Sequence, residues 1–281
     1  ESGWCSYEKG RTKLNVSDGE YIVYINIIDQ ADKTTFGFTE RISIDTTAPE
    51  GKVTIGGNEW SSIDFANNVY TTTEDKISFD TTGDGDVANV HYYLGEWSND
   101  CNTQGWAESR SFDVECPEKT AIEPSKGENI LVVRFLDSTG NASYVAGKIV
   151  KYSEAKVKDG TKDGIMVTKG KECAITINNL EVGNIQKIEC KVSNGETVEL
   201  KKGAAYEAVT ASNDTTITLT EDFTNSLPED KEQIANYTLI ISYKASGIVV
   251  KSLEVNLKVI QYIAIYNATD SIPENAIQGS A

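Results

Sequence analysis

The stretch GENILVVRFLDSTGNASY, residues 127–144, decides how the rest of the chain is read. An alternating run through Leu131, Val133 and Phe135 ends in the polar cluster Asp137, Ser138, Thr139, Gly140 and Asn141, and extended residues resume toward Tyr144. Period-two alternation rich in β-branched and aromatic residues marks a half-buried strand. The cluster after it supplies a turn, in which Asp137 can accept bonds from its own backbone while Gly140 and Asn141 tolerate positive φ. Subtracting 108 from each number returns the pattern as GEYIVYINIIDQADKTTF, residues 19–36, without a gap. Val23 then matches Leu131, Ile25 matches Val133, Ile27 matches Phe135, Asp29 matches Asp137 and Phe36 matches Tyr144.

A repeat of roughly one hundred residues, all strand and turn, has the size of an immunoglobulin-like sandwich. The expected fold is therefore all-β, with tandem immunoglobulin-like β-sandwich domains. The 281 residues suffice for two or three such domains. With 26 Lys and Arg against 43 Asp and Glu, the formal charge is −17 and the pI about 4.5. That balance argues against nucleic-acid partners, which need a basic surface, and leaves room for divalent cations. No apolar run approaches the roughly 18 residues of a membrane-spanning helix. A start at Glu1, with neither an initiator methionine nor a signal peptide, is expected of a processed product or a fragment.

The repeat divides the chain into residues 1–47, the C-terminal half of a domain; 48–152, a complete domain; 153–262, a third unit outside the 108-residue register; and 263–281, a tail or linker. In the half-domain, Gly3 and Trp4 are aligned with Gly105 and Trp106 across a six-residue insertion. Its strands would expose Val23, Ile25 and Ile27 unless upstream sequence or a neighbouring copy completes the sandwich, or unless it packs as a smaller unit. Pro49 favours an extended residue before it and ends strand pairing, so Asp45–Glu50 serves as the hinge. Expected strands in the complete domain include 110–114, 129–136 and 142–151. The third unit is read as strands at 172–177, 185–192, 197–200, 205–209, 215–219, 236–244 and 247–259, with a Ser/Thr-capped helical turn at 221–227.

On the phrases IDTTAPEGKVTI (44–55) and FLDSTGNASY (135–144), residues 1–152 resemble the Ig-like repeats of bacterial and archaeal adhesins, S-layer proteins and stalks. Copy one departs from the pattern by carrying Asp32 and Lys33 where copy two has Gly140 and Asn141, which puts in question any role needing the same turn twice. On LKKGAAYEAV, TTITLTEDFTNSL and YTLIISYKASG, the third unit resembles X2-type Ig-like modules. These resemblances imply a spacer or surface role outside the cell.

Cys101 and Cys116 lie 15 residues apart around a polar loop, and Cys173 and Cys190 lie 17 apart at the ends of two strand-like runs, so each pair is a candidate disulfide. A bridge closing such a loop is worth about 3 kcal/mol and would indicate an oxidising compartment. Cys5 is left over. Asp80, Asp84 and Asp86, with Asp45 and Asp137 at domain ends, offer oxygen ligands for calcium, against the plainer reading of solvated acidic turns. Trp60, Trp97 and Trp106 are candidate carbohydrate contacts, against the plainer reading of core tryptophans; an exposed coplanar pair among them or Tyr92 would favour sugar binding. Sequons occur at Asn15, Asn141, Asn213, Asn236 and Asn267, with the turn role already accounting for Asn141. His91 is the single histidine and reads as a strand surface residue rather than a general base. No cofactor is called for. The sequence points to a non-enzymatic structural or adhesive segment of an extracellular cell-surface protein, whose partners are neighbouring copies or other surface proteins. The alternative is a polysaccharide-binding or spacer region of a secreted polysaccharide-degrading enzyme.

Overall fold

The computed structural model describes residues 4–9, 16–101, 103–158, 164–192, 195–227 and 234–260. The expected tail at 263–281, Gly3, and the sequons at Asn15 and Asn267 lie outside the described residues. The chain divides into two compact units, Glu1–Lys151 and Tyr152–Ala281. Nearly all regular structure is strand, as the alternation demands.

Copy one consists of β1 (Gly19–Tyr21), β2 (Tyr24–Ile28), β3 (Thr34–Phe38) and β4 (Ile42–Ile44). They form two ladders of one antiparallel hairpin, β2 on β3 and β1 on β4. Tyr24 faces Phe38 and Ile28 faces Thr34; between Thr39 and Ile42 the register slips by one, so Tyr21 faces Ile42.

Copy two is a sandwich. One sheet, in the order β11-β8-β5-β6, contains β5 (Gly51–Ile55), β6 (Asn58–Trp60), β8 (Ile77–Gly83) and β11 (Lys119–Ile122). The other, in the order β10-β9-β12-β13-β7, contains β7 (Val69–Thr72), β9 (Asn89–Glu96), β10 (Val114–Glu115), β12 (Gly127–Leu136) and β13 (Ala142–Lys151). Leu131, Val133 and Phe135 face the first sheet and close the core with Val53, Ile55, Ile77 and Phe79. The opposite face of β12 is buried as well: Ile130 and Val132 pack under a cover of Phe65, Cys101, Ala107 and Phe112. Part of that cover is helix α1 (Gln104–Glu108), capped by the Thr103 hydroxyl, which accepts from the Trp106 N–H at 3.1 Å, and most of the expected strand at 110–114 after it is irregular. Only Val114–Glu115 pairs, because Arg110 and Phe112 are drawn over the outer face of the sheet.

The third unit is a second sandwich. Its four-stranded sheet, β14-β16-β20-β19, comprises β14 (Lys156–Val157), β16 (Cys173–Asn178), β19 (Tyr206–Ala211) and β20 (Asp214–Leu219). Its five-stranded sheet, β15-β22-β21-β17-β18, comprises β15 (Ile165–Thr168), β17 (Ile185–Lys191), β18 (Thr197–Glu199), β21 (Ile234–Ala245) and β22 (Val249–Ile260). The expected helical turn is α2 (Glu221–Ser226), with Thr220 Oγ1 accepting from Phe223 N–H at 3.2 Å and two acids in its first turn. In each sandwich a short strand pairs in parallel with the last one, β7 with β13 and β15 with β22, and so moves the chain from one sheet to the other.

Identical sequence positions in the two copies thus sit in opposite environments. Phe135 is 0% exposed and its counterpart Ile27 is 60% exposed. Phe135→Ala is expected to destabilise the second module by about 3–5 kcal/mol, whereas Ile27→Ala in the same 281-residue chain should change stability by no more than about 0.5 kcal/mol. Urea unfolding of the two variants, followed by tryptophan fluorescence, checks the contrast.

Candidate functional site

The most constrained polar region is the six-residue linker from Asp45 to Glu50, which the two copies hold from both sides. It begins with the turn after β12. Asp137 is buried, and its Oδ1 accepts from the N–H groups of Thr139, Gly140 and Asn141 at 2.8, 2.6 and 2.8 Å and from the Thr139 hydroxyl at 2.9 Å. Its Oδ2 accepts from Asn141 Nδ2 at 2.7 Å. That same amide donates to the Asp45 carbonyl at 3.0 Å, across 96 residues of sequence. From copy one, Asp18 Oδ1 accepts from Thr46 N–H at 3.0 Å and from the Thr46 hydroxyl at 2.7 Å, and its Oδ2 accepts from the Thr47 hydroxyl at 2.7 Å. At the far end, Glu50 N–H donates to Asp84 Oδ2 at 2.8 Å while Asp84 N–H donates back to the Glu50 carbonyl at 3.0 Å. Pro49 between them is buried.

These bonds set the ionisation of the carboxylates. Burial alone would raise the pKa of Asp137, but the bonds from Asn141 and Thr139 outweigh it and hold the group down at about 2. Asp18 is lowered by the Thr46 and Thr47 hydroxyls and the Thr46 N–H.

Copy one builds the same turn from different residues. Asp29 Oδ1 accepts from Ala31 and Lys33 N–H at 2.8 and 2.9 Å, and Asp32 takes the left-handed position, φ +58°, that Gly140 occupies at φ +97°. Aspartate is among the few residues besides glycine that tolerate this region. The departure at Asp32 and Lys33 therefore leaves the turn intact. What it removes is the carboxamide that ties Asn141 to the linker.

Three of the five acidic residues offered to calcium have their carboxylates engaged otherwise. Asp84 and Asp137 accept from linker and turn groups, Asp45 Oδ1 accepts from Thr47 N–H at 3.1 Å, and Asp86 gives its N–H to Asp84 Oδ1 at 3.1 Å. Asp80 is exposed on β8. Among the described residues, no group of three or more His, Cys, Asp or Glu side chains is placed to hold a metal ion.

The three candidate tryptophans do not form a platform. Trp60 is 2% exposed and belongs to the core between the sheets, which corrects its reading as a sugar contact. Trp97 is half-buried against Phe65, ring centroids 5.1 Å apart, with Lys148 Nζ 3.9 Å from its ring centroid. Trp106 meets Tyr93 edge-on at 5.9 Å and lies under the Arg110 guanidinium at 4.2 Å. Cations thus lie over the rings that would have to stack on a sugar. Tyr92 points the other way, into the core against Phe79. His91 is half-buried on the outer face, opposite Arg134.

None of the five cysteines is bridged in the structure. Cys101 and Cys116 are corrected as a pair: Cys101 lies in the cluster on the outer face of β12 and Cys116 in the core on its inner face, with the sheet between them. Cys116 instead contacts the Thr120 hydroxyl at 3.1 Å, and Cys101 the Ser98 hydroxyl at 3.3 Å. Cys173 and Cys190 enter one core from facing sheets. Burial raises the thiol pKa of Cys173 and takes that of Cys190 to about 11. Of the described sequons, Asn213 at the β19–β20 turn and Asn236 on β21 are exposed, while the Asn141 amide is committed to the linker.

No protein-family model and no characterised protein sequence matches the chain. Among solved structures it is similar to an I-band fragment of titin at 10% identity and TM-score 0.39, covering 88% of this chain and 75% of that one. The extracellular domains 3–5 of Drosophila OTK match at 7% identity and TM-score 0.39, covering 88% and 72%. Fibronectin(III)-like modules of Clostridium thermocellum CbhA match at 14% identity and TM-score 0.28, covering 76% and 100%. Likenesses this distant carry no functional argument; the tandem sandwich assignment rests on the sheets themselves.

Two outcomes follow from the linker geometry. Since the Asp137 pKa is depressed on folding, its contribution is fully present above about pH 4 and is lost as pH falls through about 2. Asp137→Asn should therefore melt below the parent chain at pH 6, with the gap closing near pH 2, as read by thermal scans across that range. Non-reducing peptide mapping should recover no Cys101–Cys116 bridge, since forming one would require moving one sulfur through the β9–β12–β13 sheet.

Proposed function

We propose that this chain is a non-enzymatic spacer segment of an extracellular cell-surface protein, in which Ig-like modules are joined in series through held rather than flexible linkers. Residues 1–47 are the second half of one module, 48–152 a complete module and 153–262 a third. The observation that carries this reading is the Asp45–Glu50 linker, fixed by Asp18 and Asn141 from the modules on either side and by Asp84 where it enters β5. A linker held at its backbone transmits orientation and load between modules, which a Gly/Ser tether does not. Among the described residues no group of three or more His, Cys, Asp or Glu side chains is placed to hold a metal ion, and the Asp18, Asp84 and Asp137 carboxylates are engaged with the linker and its adjoining turn.

The surface location is supported by the exposed sequons Asn213 and Asn236, by the acid-rich composition and by the resemblance of the linker and turn phrases to surface repeats. A Cys173–Cys190 bridge joining the two sheets of the third module belongs to the same reading, since oxidising surroundings would favour it. No helix among the described residues is long and apolar enough to cross a membrane. Partners in this reading are other surface proteins or further modules of the same type, in an adhesin, stalk or layer.

Asn141→Ala combined with Asp18→Ala tests the linker's role. Amide ¹⁵N relaxation should show Thr46 and Thr47 becoming mobile on the nanosecond scale, with the β5–β13 amides unchanged. Linker amides as ordered in the double variant as in the parent chain would remove the basis for a held junction.

A further inference from the structure

Copy one retains the neighbours of a missing strand. The 108-residue register extends further than the sequence suggests: Trp4 packs against Phe36 at 6.4 Å between ring centroids, and the counterparts Phe112 and Tyr144 pack at 5.8 Å. Trp4 therefore corresponds to Phe112 without a gap, and the alignment with Trp106 is corrected. Likewise the Tyr21 hydroxyl donates to the Ser17 carbonyl at 2.7 Å where Asn129 Nδ2 donates to the Ser125 carbonyl at 2.7 Å. Trp4–Tyr7 thus stands for Phe112–Glu115, which ends in β10, and Tyr24–Ile28 for Val132–Leu136, the C-terminal half of β12.

In copy two those elements are separated by β9, which pairs with both. In copy one no described strand lies between them. Trp4–Tyr7 and Val23–Ile28 instead line an open groove of roughly 880 Å³. Ile25, facing into the equivalent of the core, is 48% exposed, whereas its counterpart Val133 is fully buried against Phe79 and its neighbours. Among the described residues, β2 pairs along one edge only, with β3.

We propose that this groove is a strand-acceptor slot, filled by an extended segment of the same repeat type as residues 51–96, joined ahead of Trp4 and running antiparallel to β2 as β9 runs on β12. Such a strand would give β2 its missing main-chain bonds and set alternate apolar residues on Val23, Ile25 and Ile27, as Val90, Tyr92 and Leu94 do on Leu131, Val133 and Phe135. A second copy of the chain is a poor donor, because its own β5 to β9 are already paired within copy two. The inference rests on the half-module assignment made above for residues 1–47 but not on the spacer role or the surface location.

The test duplicates residues 48–111 ahead of Trp4 in the full chain, which restores the 108-residue spacing. Hydrogen exchange at the Tyr24–Ile28 amides is expected to slow by about tenfold or more, and Tyr92→Asp with Leu94→Asp in the added copy alone should abolish the slowing. Unchanged exchange in a soluble fusion whose β12–β13 amides stay protected would overturn the proposal. So would slow exchange at Tyr24–Ile28 in a dimeric 281-residue chain, which would assign the slot to a second copy. If the fusion aggregates, a synthetic peptide of residues 87–97 added to the 281-residue chain carries the test: amide shifts confined to Trp4–Tyr7 and Val23–Ile28 support the slot, and none there at millimolar peptide refute it.

Discussion

The Asp137 carboxylate is the group on which the described architecture of copy two turns. It is taken out of water at the tip of the longest hairpin of copy two, where an unpaired charge would be costly, and every donor it needs comes from the four residues that follow it. That arrangement reverses the chain so that β13 returns in register with β12 over its whole length. It also fixes the Asn141 amide, whose remaining proton reaches the linker. One ionised oxygen pair therefore closes a hairpin and orients the residue that holds the preceding linker. Copy one shows which of these duties is primary, since the Asp29 turn survives with Asp32 and Lys33 in place while the amide to the linker is absent.

β12 is the second constraint. A strand with one face on the core and the other toward water should alternate, yet Ile130, Leu131, Val132 and Val133 are all buried. The segment from Gln104 to Phe112 crosses the outer face and covers it with Trp106, Ala107 and Phe112, and the segment near Phe65 covers the rest. Arg110, Arg134 and Lys148 then lie over aromatic rings of that cover and keep its outer rim polar. This second layer is why Cys101 and Cys116, near neighbours in sequence, end up on opposite sides of a sheet.

Much of the fold was legible in the sequence because it depends on local signals. Alternation located β16 to β22, and a Ser/Thr cap marked the helical turn that is α2. The short strands β6, β7, β11, β14 and β15 were missed; each has two to four residues, too few for a period to register. α1 was missed because the Trp, Arg and Phe around it looked like strand residues and only Thr103 announced a cap. The site was less legible. Asp18, Asp84 and Asn141 are far apart in sequence, and no spacing rule links them. The continuous run Ile130–Val133 was the available sign that β12 is covered on both faces.

Three of the acids that suggested calcium, Asp45, Asp84 and Asp137, are instead bonded to the linker or to the turn beside it. A calcium ion takes six to eight oxygen ligands at once, mostly carboxylates and carbonyls free to converge on it. Here Asp45, Asp84 and Asp137 are spread along the linker and the turn beside it, and their oxygens already receive N–H or O–H donors at 2.6–3.1 Å. To recruit them, a cation would have to break charge-assisted bonds that also fix the backbone, and would leave those N–H groups unpaired. Backbone donors at the start of a turn or strand are the partial positive charges that a metal would otherwise supply. An acid-rich chain can in this way hold a module junction through bonds between a few aspartates and its own peptide groups.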